Sequence, residues 1–514
     1  MKRATAVALF FLSTTTAFAG STAVSSKAAL STAHPLATKV GLGVLQRGGN
    51  AIDASVAVAF ALAVVHPQAG NLGGGGFLVY YDAATRGMWT LDFREVAPLA
   101  TKREVFARPQ TGAMTAGVPG TVAGLDAMRQ RFGSKAWKEL LAPAIALASE
   151  ARPADPELEA DAKERKVELP KATELAATLQ RLSDKGARDF YDGDLSKQLV
   201  EGVRAAGGIL GHRDLREYEP VWRAPIKLRY GAYEILTVPP PSGGGIVIGS
   251  TLNILAKDDL AAIGFQTTSA LHLLIEAQRR AAIDRAKYVG DPRGARIPYR
   301  ELLSQQRAEA WRRTIQPRTA SATVALADPG NLKTEGEHTT HFVIADAKGN
   351  IASLTTSLGE KFGSGFAVPA LGFFMNSSMN DFSTGVNAAD PMKRAATSLA
   401  PTIILREGKP FMAIGTRGGA AIPTTILQVF LNVAVYGKSL PDAVAAPRYH
   451  HQGVPEELSY ERDLAPKSTV DALNAMGHGV AARDSIGDVH AILFEKGRLI
   501  AVADPRRGGA AGGY

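Results

Sequence analysis

The chain repeats one local design, and this repetition limits the possible folds more than any other feature. The design is an apolar strand, a short turn that contains glycine, and a second strand, which together are typical of β-hairpins. Stretches with helical periodicity lie between the hairpins. The sequence therefore predicts an α+β fold with sheets inside and helices outside. The predicted hairpins pair Phe77–Tyr81 with Met88–Phe93, Ile226–Tyr230 with Tyr233–Val238, Phe342–Ala345 with Ile351–Thr356, Thr402–Leu405 with Phe411–Ile414, and His490–Phe494 with Arg498–Val502.

Three helical regions have distinct characters. Leu36–Gln46 is amphipathic, and the Arg47-Gly48-Gly49-Asn50 sequence that follows is a helix-stop signal. Ala51–Val65 is apolar almost all round, which indicates a buried helix that is too short for a typical membrane span. Residues 150–215 are polar and charged, so we expect their helices to cover one face or edge of the molecule.

The first 19 residues have the features of a secretory signal. Lys2 and Arg3 precede an apolar run from Ala6 to Leu12, and Ala17-Phe18-Ala19 is a small-x-small cleavage site. The chain contains no cysteine, which excludes disulfides and thiolate catalysis. We therefore expect a periplasmic or secreted protein of residues 20–514 that is held together by packing.

Composition excludes several function classes. The formal net charge of +9 is modest for 514 residues, and no basic run is interleaved with aromatic residues. We therefore expect no nucleic-acid partner. The ten histidines show no metal-binding spacing, so we assign no metal and no cofactor.

The hairpin that begins at Thr339 carries a possible nucleophile. A turn centred near Lys348 places Thr339 opposite Ser357, although a slip of one residue would turn Ser357 to the other face. If the chain is cut just before Thr339, the freed α-amine becomes a base with a reference pKa of about 7.7–8.0. Residues 317–338 read as a loop, which is where a cut linker should lie.

Glycine-rich segments offer a second clue. Gly73–Gly76 opens a strand and lacks the lysine of a phosphate loop, so it favours close backbone packing. Gly418 and Gly419 precede a predicted apolar helix that begins near Ile422, and such a pair is typical either of a turn or of an oxyanion hole.

Arg94 lies at the end of a predicted strand, and a lone arginine in such a position most often forms a surface salt bridge.

Taken together, these motifs resemble the gamma-glutamyltranspeptidase (glutathione hydrolase) family from about Ala28 to the C-terminus. Their order and spacing follow the family. The matching stretches are residues 48–54, 73–77, 92–98, 117–121, 239–244, the Thr339 hairpin, 362–365, 380–383 and 504–509.

The resemblance implies an N-terminal-nucleophile hydrolase with an αββα sandwich, made as one proenzyme. Cleavage between His338 and Thr339 would give a heterodimer of residues 20–338 and 339–514. Thr339 would attack a γ-glutamyl amide such as glutathione, and water or an amino-acid or dipeptide amine would accept the acyl group. The other implied roles are orientation of the threonine amine by Ser357, oxyanion binding by Gly418 and Gly419, α-carboxylate binding by Arg94, Thr397 and Ser398, and α-ammonium binding by Asp381.

Departures from the family pattern concern the substrate. Gly359 stands where many members have Asn, and Ser378 stands where they have Glu or Gln; both usual residues help hold the glutamyl backbone. Arg417 replaces a common Pro and could supply a new anion contact. Only 15 residues separate Asp381 from Thr397, so the lid loop is shortened. Two alternatives stay open: an amidase for other acyl donors, such as glutaryl side chains or poly-γ-glutamate, and a catalytically silent binding protein.

Overall fold

The computed structural model describes residues 21–149, 155–326, 336 and 338–514. The predicted signal peptide, residues 1–19, lies outside the described residues, as do residues 327–335 and 337 of the predicted linker. The described part of that linker includes a short helix, Thr323–Leu326, where the sequence predicted loop.

Two seven-stranded sheets form the centre of the molecule, and a small three-stranded sheet lies beside them. The first large sheet has the order β1-β16-β15-β11-β10-β7-β6, the second β17-β2-β8-β9-β3-β4-β5, and the small one β12-β13-β14. The strands are β1 (Thr22–Ser25), β2 (Ala29–Thr32), β3 (Gly75–Asp82), β4 (Gly87–Asp92), β5 (Val221–Arg223), β6 (Ile226–Tyr230), β7 (Tyr233–Thr237), β8 (His338–Ala345), β9 (Ile351–Gly359), β10 (Thr402–Arg406), β11 (Lys409–Arg417), β12 (Tyr449–His450), β13 (Leu458–Glu461), β14 (Val480–Arg483), β15 (Asp488–Glu495), β16 (Arg498–Ala503) and β17 (Ala510–Gly513).

Helices cover the outer faces of both large sheets. They are α1 (Pro35–Gln46), α2 (Ala51–Val65), α3 (Thr121–Phe132), α4 (Trp137–Ser149), α5 (Pro156–Arg165), α6 (Ala172–Lys185), α7 (Arg188–Asp192), α8 (Asp194–Ala205), α9 (His212–Arg216), α10 (Gly244–Ile254), α11 (Leu260–Ile263), α12 (Thr268–Tyr288), α13 (Tyr299–Leu302), α14 (Gln305–Arg313), α15 (Thr323–Leu326), α16 (Ile422–Ala434), α17 (Leu440–Ala445) and α18 (Lys467–Ala475).

The alternation of side chains along β8 shows how the layers are stacked. Phe342 and Ile344 lie in one apolar core with α2, and Val343 and Ala345 lie in a second core with the first sheet, α10, α12 and α16. Since neighbouring residues of a strand point to opposite faces, β8 lies between two cores. The order of layers is therefore helices, sheet, sheet, helices, and the predicted αββα sandwich is confirmed.

The sequence placed the hairpins and the buried helix correctly. All five predicted hairpins form antiparallel pairs, β3 with β4, β6 with β7, β8 with β9, β10 with β11, and β15 with β16. Every residue of α2 is buried, and an asparagine capping box at Asn50 starts it. Among the residues that the structure describes, no helix is both long and apolar enough to cross a membrane.

Candidate active site

Thr339 and Ser357 face each other across β8 and β9, in the register predicted from the turn. The hydroxyl of Thr339 donates a hydrogen bond to Ser357 Oγ over 3.2 Å. Both residues are almost fully buried, at 1% and 3% exposure. The pair is therefore fixed in a water-poor position between the two sheets.

Ser357 connects this hydroxyl with the peptide bond that precedes Thr339. Its Oγ accepts from the Gly359 amide at 2.9 Å and donates to the His338 carbonyl oxygen at 3.1 Å. A hydroxyl has one donor and two acceptor sites, so with the bond from Thr339 all three are used. The orientation of Ser357 is thus determined by its neighbours, and its proton points at the His338 carbonyl.

Gly418 and Gly419 follow β11 at the same end of the molecule as Thr339. Two contacts align β11 with the catalytic hairpin: Ser353 Oγ donates to the Ile414 carbonyl, and a Cβ on Gly415 would lie 2.3 Å from the His341 ring. Both Gly418 and Gly419 have positive φ, 126° and 54°, which favours glycine. They lead into α16, whose first amide N–H groups have no partner within the helix.

Arg94 is paired with Asp381, as well as with Glu95 at 3.1 Å. The side chains of Arg94 and Asp381 are 2% and 17% exposed, so this is a mostly buried pair and not the surface salt bridge that a lone arginine usually makes. Burial raises the pKa of the Glu95 carboxyl to about 7, against the opposing charge of Arg94. The site therefore offers a cation and an anion side by side.

Thr397 and Ser398 are held against the Ser242-Gly243-Gly244 turn. The Gly243 amide donates to the Thr397 carbonyl at 2.7 Å, and a Cβ on Gly244 would lie 2.7 Å from the Ser398 carbonyl oxygen. A Cβ on Gly243 would also meet the side chain of Arg285, whose pKa burial lowers to about 10 while the charge of Asp381 raises it. Arg285 thus links the Thr397 segment with Asp381, and no sequence motif had singled it out.

Ser378 and Gly359 lie in the site, although neither presents a free side chain. The Ser378 hydroxyl donates to Asn376 Oδ1 at 2.7 Å, and a Cβ on Gly117 would meet it at 2.4 Å. Gly359 has φ 87°, and its position contributes the amide that binds Ser357. Asn376 also binds the backbone of Gly117, so it organises this region; no local pattern in the sequence pointed to it.

The electrostatic surroundings of the predicted cleavage site are basic. Burial, together with the nearby charges of Arg417 and Lys361, lowers the pKa of the His338 imidazole to about 3. His338 is therefore neutral at physiological pH.

Within the described ranges, no group of three or more His, Cys, Asp or Glu side chains could hold a metal ion.

Comparison with known proteins agrees with this geometry. The sequence profile of the gamma-glutamyltranspeptidase family matches residues 37–514. The chain is 36% identical to a glutathione hydrolase proenzyme of Pseudomonas sp. (strain A14), over 94% of this chain and 93% of that protein. It is 34% identical to the glutathione hydrolase proenzyme of Escherichia coli (strain K12), over 91% of this chain and 89% of the other.

A solved structure shares the fold along nearly the whole chain. The cephalosporin acylase from Bacillus halodurans superposes with a TM-score of 0.87, at 25% identity, over 99% of each chain. The sandwich and the position of Thr339 at the start of an inner strand are features of N-terminal-nucleophile hydrolases. The chain belongs to the gamma-glutamyltranspeptidase family.

Proposed function

We propose that this chain is an exported precursor that cuts itself between His338 and Thr339 and then hydrolyses or transfers γ-glutamyl groups from glutathione and related amides. The hydrogen-bonded series from Thr339 through Ser357 to the His338 carbonyl carries the proposal. It supports the proposal because the Thr339 hydroxyl, a second hydroxyl and the peptide bond before Thr339 lie together, as self-cutting requires. The glutathione hydrolase proenzymes among its relatives support the same conclusion.

In the cutting step, Thr339 Oγ1 attacks the carbonyl carbon of His338. Its proton passes to Ser357 Oγ, while the Ser357 proton passes to the carbonyl oxygen and neutralises the negative charge that develops there. The C–N bond then breaks as the proton on the former carbonyl oxygen passes to the nitrogen, which becomes the α-amine, and an ester joins His338 to Thr339. Water hydrolyses that ester, which gives a carboxylate at His338 and a free N-terminal Thr339. The products are residues 20–338 and 339–514, which stay together as a heterodimer.

In the catalytic cycle the freed α-amine takes the proton of Thr339 Oγ1 as it attacks the γ-carbonyl of the donor. The amide nitrogen leaves with that proton as an amine, and the γ-glutamyl group stays on Thr339 as an ester. Water or the amine of an amino acid or dipeptide then attacks the ester and restores the hydroxyl. Amide groups of Gly418 and Gly419 stabilise the oxyanion in both halves.

Donor recognition follows from the adjacent charges of Arg94 and Asp381. An α-amino acid carries a carboxylate and an ammonium on one carbon, which match a guanidinium and a carboxylate placed side by side. Thr397 and Ser398 add hydroxyl groups for the carboxylate. A γ-glutamyl donor would therefore replace the contact between Arg94 and Asp381 with one contact to each.

A second candidate is an amidase for acyl donors that lack the ammonium, such as glutaryl amides. The Ser378 hydroxyl is engaged by Asn376, which weakens the hold on a glutamyl backbone, and the acylase of Bacillus halodurans shares the fold. A glutaryl group would leave Asp381 without a ligand cation. The γ-glutamyl donor is accordingly the favoured class.

Intact mass spectrometry of the purified protein under denaturing conditions tests the cutting step. We expect two masses, for residues 20–338 and 339–514, and a single uncut mass with no amidase activity for Thr339→Ala. A panel of γ-glutamyl, glutaryl and acetyl 4-nitroanilides then tests the donor. Cutting or activity in Thr339→Ala would refute the nucleophile, and a glutaryl preference would favour the second candidate.

A further inference from the structure

Arg417 is a buried cation that the reaction proposed above leaves without a role. It is the last residue of β11 and is 8% exposed. The sequence suggested that it could contact an anion, and its Nη1 atom lies 4.0 Å from Glu157 Oε1. Arg507 Nη1 lies nearer to the same oxygen, at 3.2 Å. Two guanidinium groups therefore share one carboxylate, which balances the charge of Arg417 only in part.

Two contacts between the large sheets show how β11 runs against β8. The ring of His341 covers Gly415, since a Cβ on Gly415 would lie 2.3 Å from it. Ser353, which pairs with Val343 on β8, donates to the carbonyl oxygen of Ile414. A step back along β8 from Val343 to His341 therefore corresponds to a step forward along β11 from Ile414 to Gly415. The two strands are stacked in opposite directions.

This alignment places Arg417 opposite Thr339. Residues two apart on a strand point to the same face of the sheet. Thr339 therefore points the same way as His341, into the space between the sheets, and Arg417 points the same way as Gly415, into that space from the other side. Stacked sheets lie about 10 Å apart, and the long arginine side chain covers part of this distance. The guanidinium group is thus within roughly 10 Å of the backbone nitrogen of Thr339.

The charge around this nitrogen is positive on balance. Burial and four cations together lower the pKa of the adjacent His338 imidazole to about 3, and Arg417 has the largest effect of the four. The other three cations are Lys361, Arg165 and Arg507. Because these charges act on the residue that is joined to the Thr339 nitrogen, they act on that nitrogen as well.

Anions near the nitrogen are mostly paired with cations other than Arg417. Lys361 Nζ lies 2.7 Å from both Asp161 Oδ1 and Glu164 Oε2, and Arg507 holds Glu157 more closely than Arg417 does. The further titratable groups around this region are Glu360, His341 on β8, Asp488 and His490 on β15, His34 and His66 near α1 and α2, and Arg94, Glu95 and Asp381 in the donor site.

Asp488 is the anion that moderates Arg417. The two residues pair across β11 and β15, and Asp488 is 4% exposed. Burial opposes ionisation of the Asp488 carboxyl, but the charges of His490 and Arg417 outweigh it and hold its pKa below the usual value. The Asp488 carboxylate therefore acts on the Thr339 nitrogen with a sign opposite to that of Arg417.

We propose that the charge of Arg417 keeps the freed α-amine of Thr339 in its neutral form, so that this amine accepts the proton of the Thr339 hydroxyl near neutral pH. The inference rests on the proposed function. A nearby cation disfavours the ammonium form of an amine, whatever donor is bound. Arg417 is thus a positioning residue that acts through the amine, and Asp488 limits its effect.

Coulomb's law gives the size of the effect. A unit charge at roughly 10 Å, with an effective dielectric constant of about 20, changes a pKa by about one unit. The reference pKa of an α-amine is about 7.7–8.0, so about one amine in seven is neutral at pH 7. A pKa about one unit lower makes more than about half of the amine neutral. The neutral fraction, and kcat/KM with it, then rises about fourfold at pH 7.

The pH dependence of kcat/KM for γ-glutamyl-4-nitroanilide, measured with the processed enzyme between about pH 5 and pH 8.5, tests the proposal. We expect Arg417→Gln to move the acid limb of the profile up by about one pH unit and to leave kcat/KM at pH 8.5 within about twofold of the wild-type value. Arg417→Lys retains the charge and should restore the wild-type limb. Asp488→Asn should move the limb down, and Arg462→Gln, at an exposed pair with Asp484, should leave it in place.

Acetylation of the Thr339 amine gives a second readout that does not need a donor. Acetic anhydride acylates the neutral form of an amine, so the extent of labelling after a brief exposure at each pH follows the titration of the amine. Mass spectrometry of the N-terminal peptide of residues 339–514 measures this labelling. The midpoint should move by about one pH unit in Arg417→Gln, in the same direction as the acid limb.

The two readouts separate this inference from the proposed function. Unchanged limbs and midpoints in Arg417→Gln and Asp488→Asn would refute the role of Arg417 alone, as would an equal loss of kcat/KM at every pH in Arg417→Gln. If Arg417→Gln is not cut, Asp488→Asn decides: a lower midpoint supports the proposal, and an unchanged midpoint refutes it. If the wild type is cut but does not hydrolyse the donor, the donor assignment fails while acetylation still tests Arg417. An uncut wild type refutes the proposed function and this inference together.

Discussion

Replacing Ser357 by alanine should nearly stop the self-cutting of the chain while leaving its fold in place. The change removes three hydrogen bonds: from Thr339 Oγ1 at 3.2 Å, from the Gly359 amide at 2.9 Å, and to the His338 carbonyl at 3.1 Å. The last of these stabilises the oxygen on which charge develops. Loss of one oxyanion donor costs about 10²–10³ in rate. Loss of the proton path acts on the same step, so we expect at least about a 100-fold slower cut.

The assay is the fraction of cut chain against time, measured by intact mass after expression at low temperature and transfer to 37 °C. Ser353→Ala is the matched control, because Ser353 is also a buried serine on β9. Its hydroxyl accepts from the Thr402 amide at 3.1 Å and donates to the Ile414 carbonyl at 3.3 Å. Both variants lose buried hydrogen bonds worth about 1 kcal/mol each in stability. Only Ser357→Ala loses the contact with the scissile peptide.

Cutting of Ser357→Ala at the wild-type rate would refute a role for the Ser357 hydroxyl. Equal slowing in Ser353→Ala would also refute it, since the effect would then follow from lost stability. Ser357→Thr retains a hydroxyl and should recover part of the rate. If Ser357→Thr unfolds at the wild-type denaturant concentration but recovers none of the cutting rate, the position of the hydroxyl matters more than its presence.

Two further predictions concern stability. Arg94→Gln removes the buried cation that pairs with both Asp381 and Glu95 and should lower the free energy of unfolding in urea by about 3 kcal/mol. Arg462→Gln, at an exposed pair, should lower it by less than about 1 kcal/mol. Equal losses would show that the Arg94 pair is not buried in solution. Acid should destabilise the fold from about pH 6.5 downward, because the unfolded chain binds protons at the ordinary histidine pKa of about 6.5 and four buried histidines of the folded chain do not. The raised pKa of Glu95, about 7, acts in the opposite direction but offsets only one of the four. Each buried histidine then lowers the free energy of unfolding by up to about 1.4 kcal/mol per pH unit as the pH falls from 6.5 toward its own lowered pKa. A denaturant midpoint of unfolding that stays constant from pH 7 to pH 5 would contradict this prediction. The histidines are His66 and His338, with pKa lowered to about 3 by burial, and His450 and His478, with pKa lowered to about 4 by burial.

The local part of the site could be read from the sequence because a short turn fixes the register of the strands that it joins. The turn near Lys348 determined that Thr339 faces Ser357, and the structure shows that pair. A slip by one residue would have turned Ser357 to the other face of the sheet. The same reasoning placed the other four hairpins, whose partners also lie close in sequence.

Contacts between distant segments could not be predicted in this way. Asn376 joins the Gly117 segment to Ser378, and Arg285 on α12 approaches Asp381. Neither Asn376 nor Arg285 lies in a sequence pattern whose period or spacing indicates its partner. Ser378 illustrates the consequence. Its residue type indicated a short side chain that reaches less far toward substrate, whereas only the structure shows that its hydroxyl is bound to Asn376.

The second large sheet explains why one fold can serve both the cutting of its own chain and the transfer of an acyl group. Thr339 lies near the start of β8, a central strand, and the row of paired residues that runs through Ser357 and Gly75 leads to Arg94 on one flank. While the chain is intact, His338 occupies the position of an acyl group on Thr339, and Ser357 holds its carbonyl. In the proposed mature form, release of His338 would leave the same carbonyl position free for a donor, whose glutamyl end Arg94 would bind. In this proposal the precursor and the mature enzyme use one nucleophile in one strand register, and specificity depends on which groups the flanking strands supply.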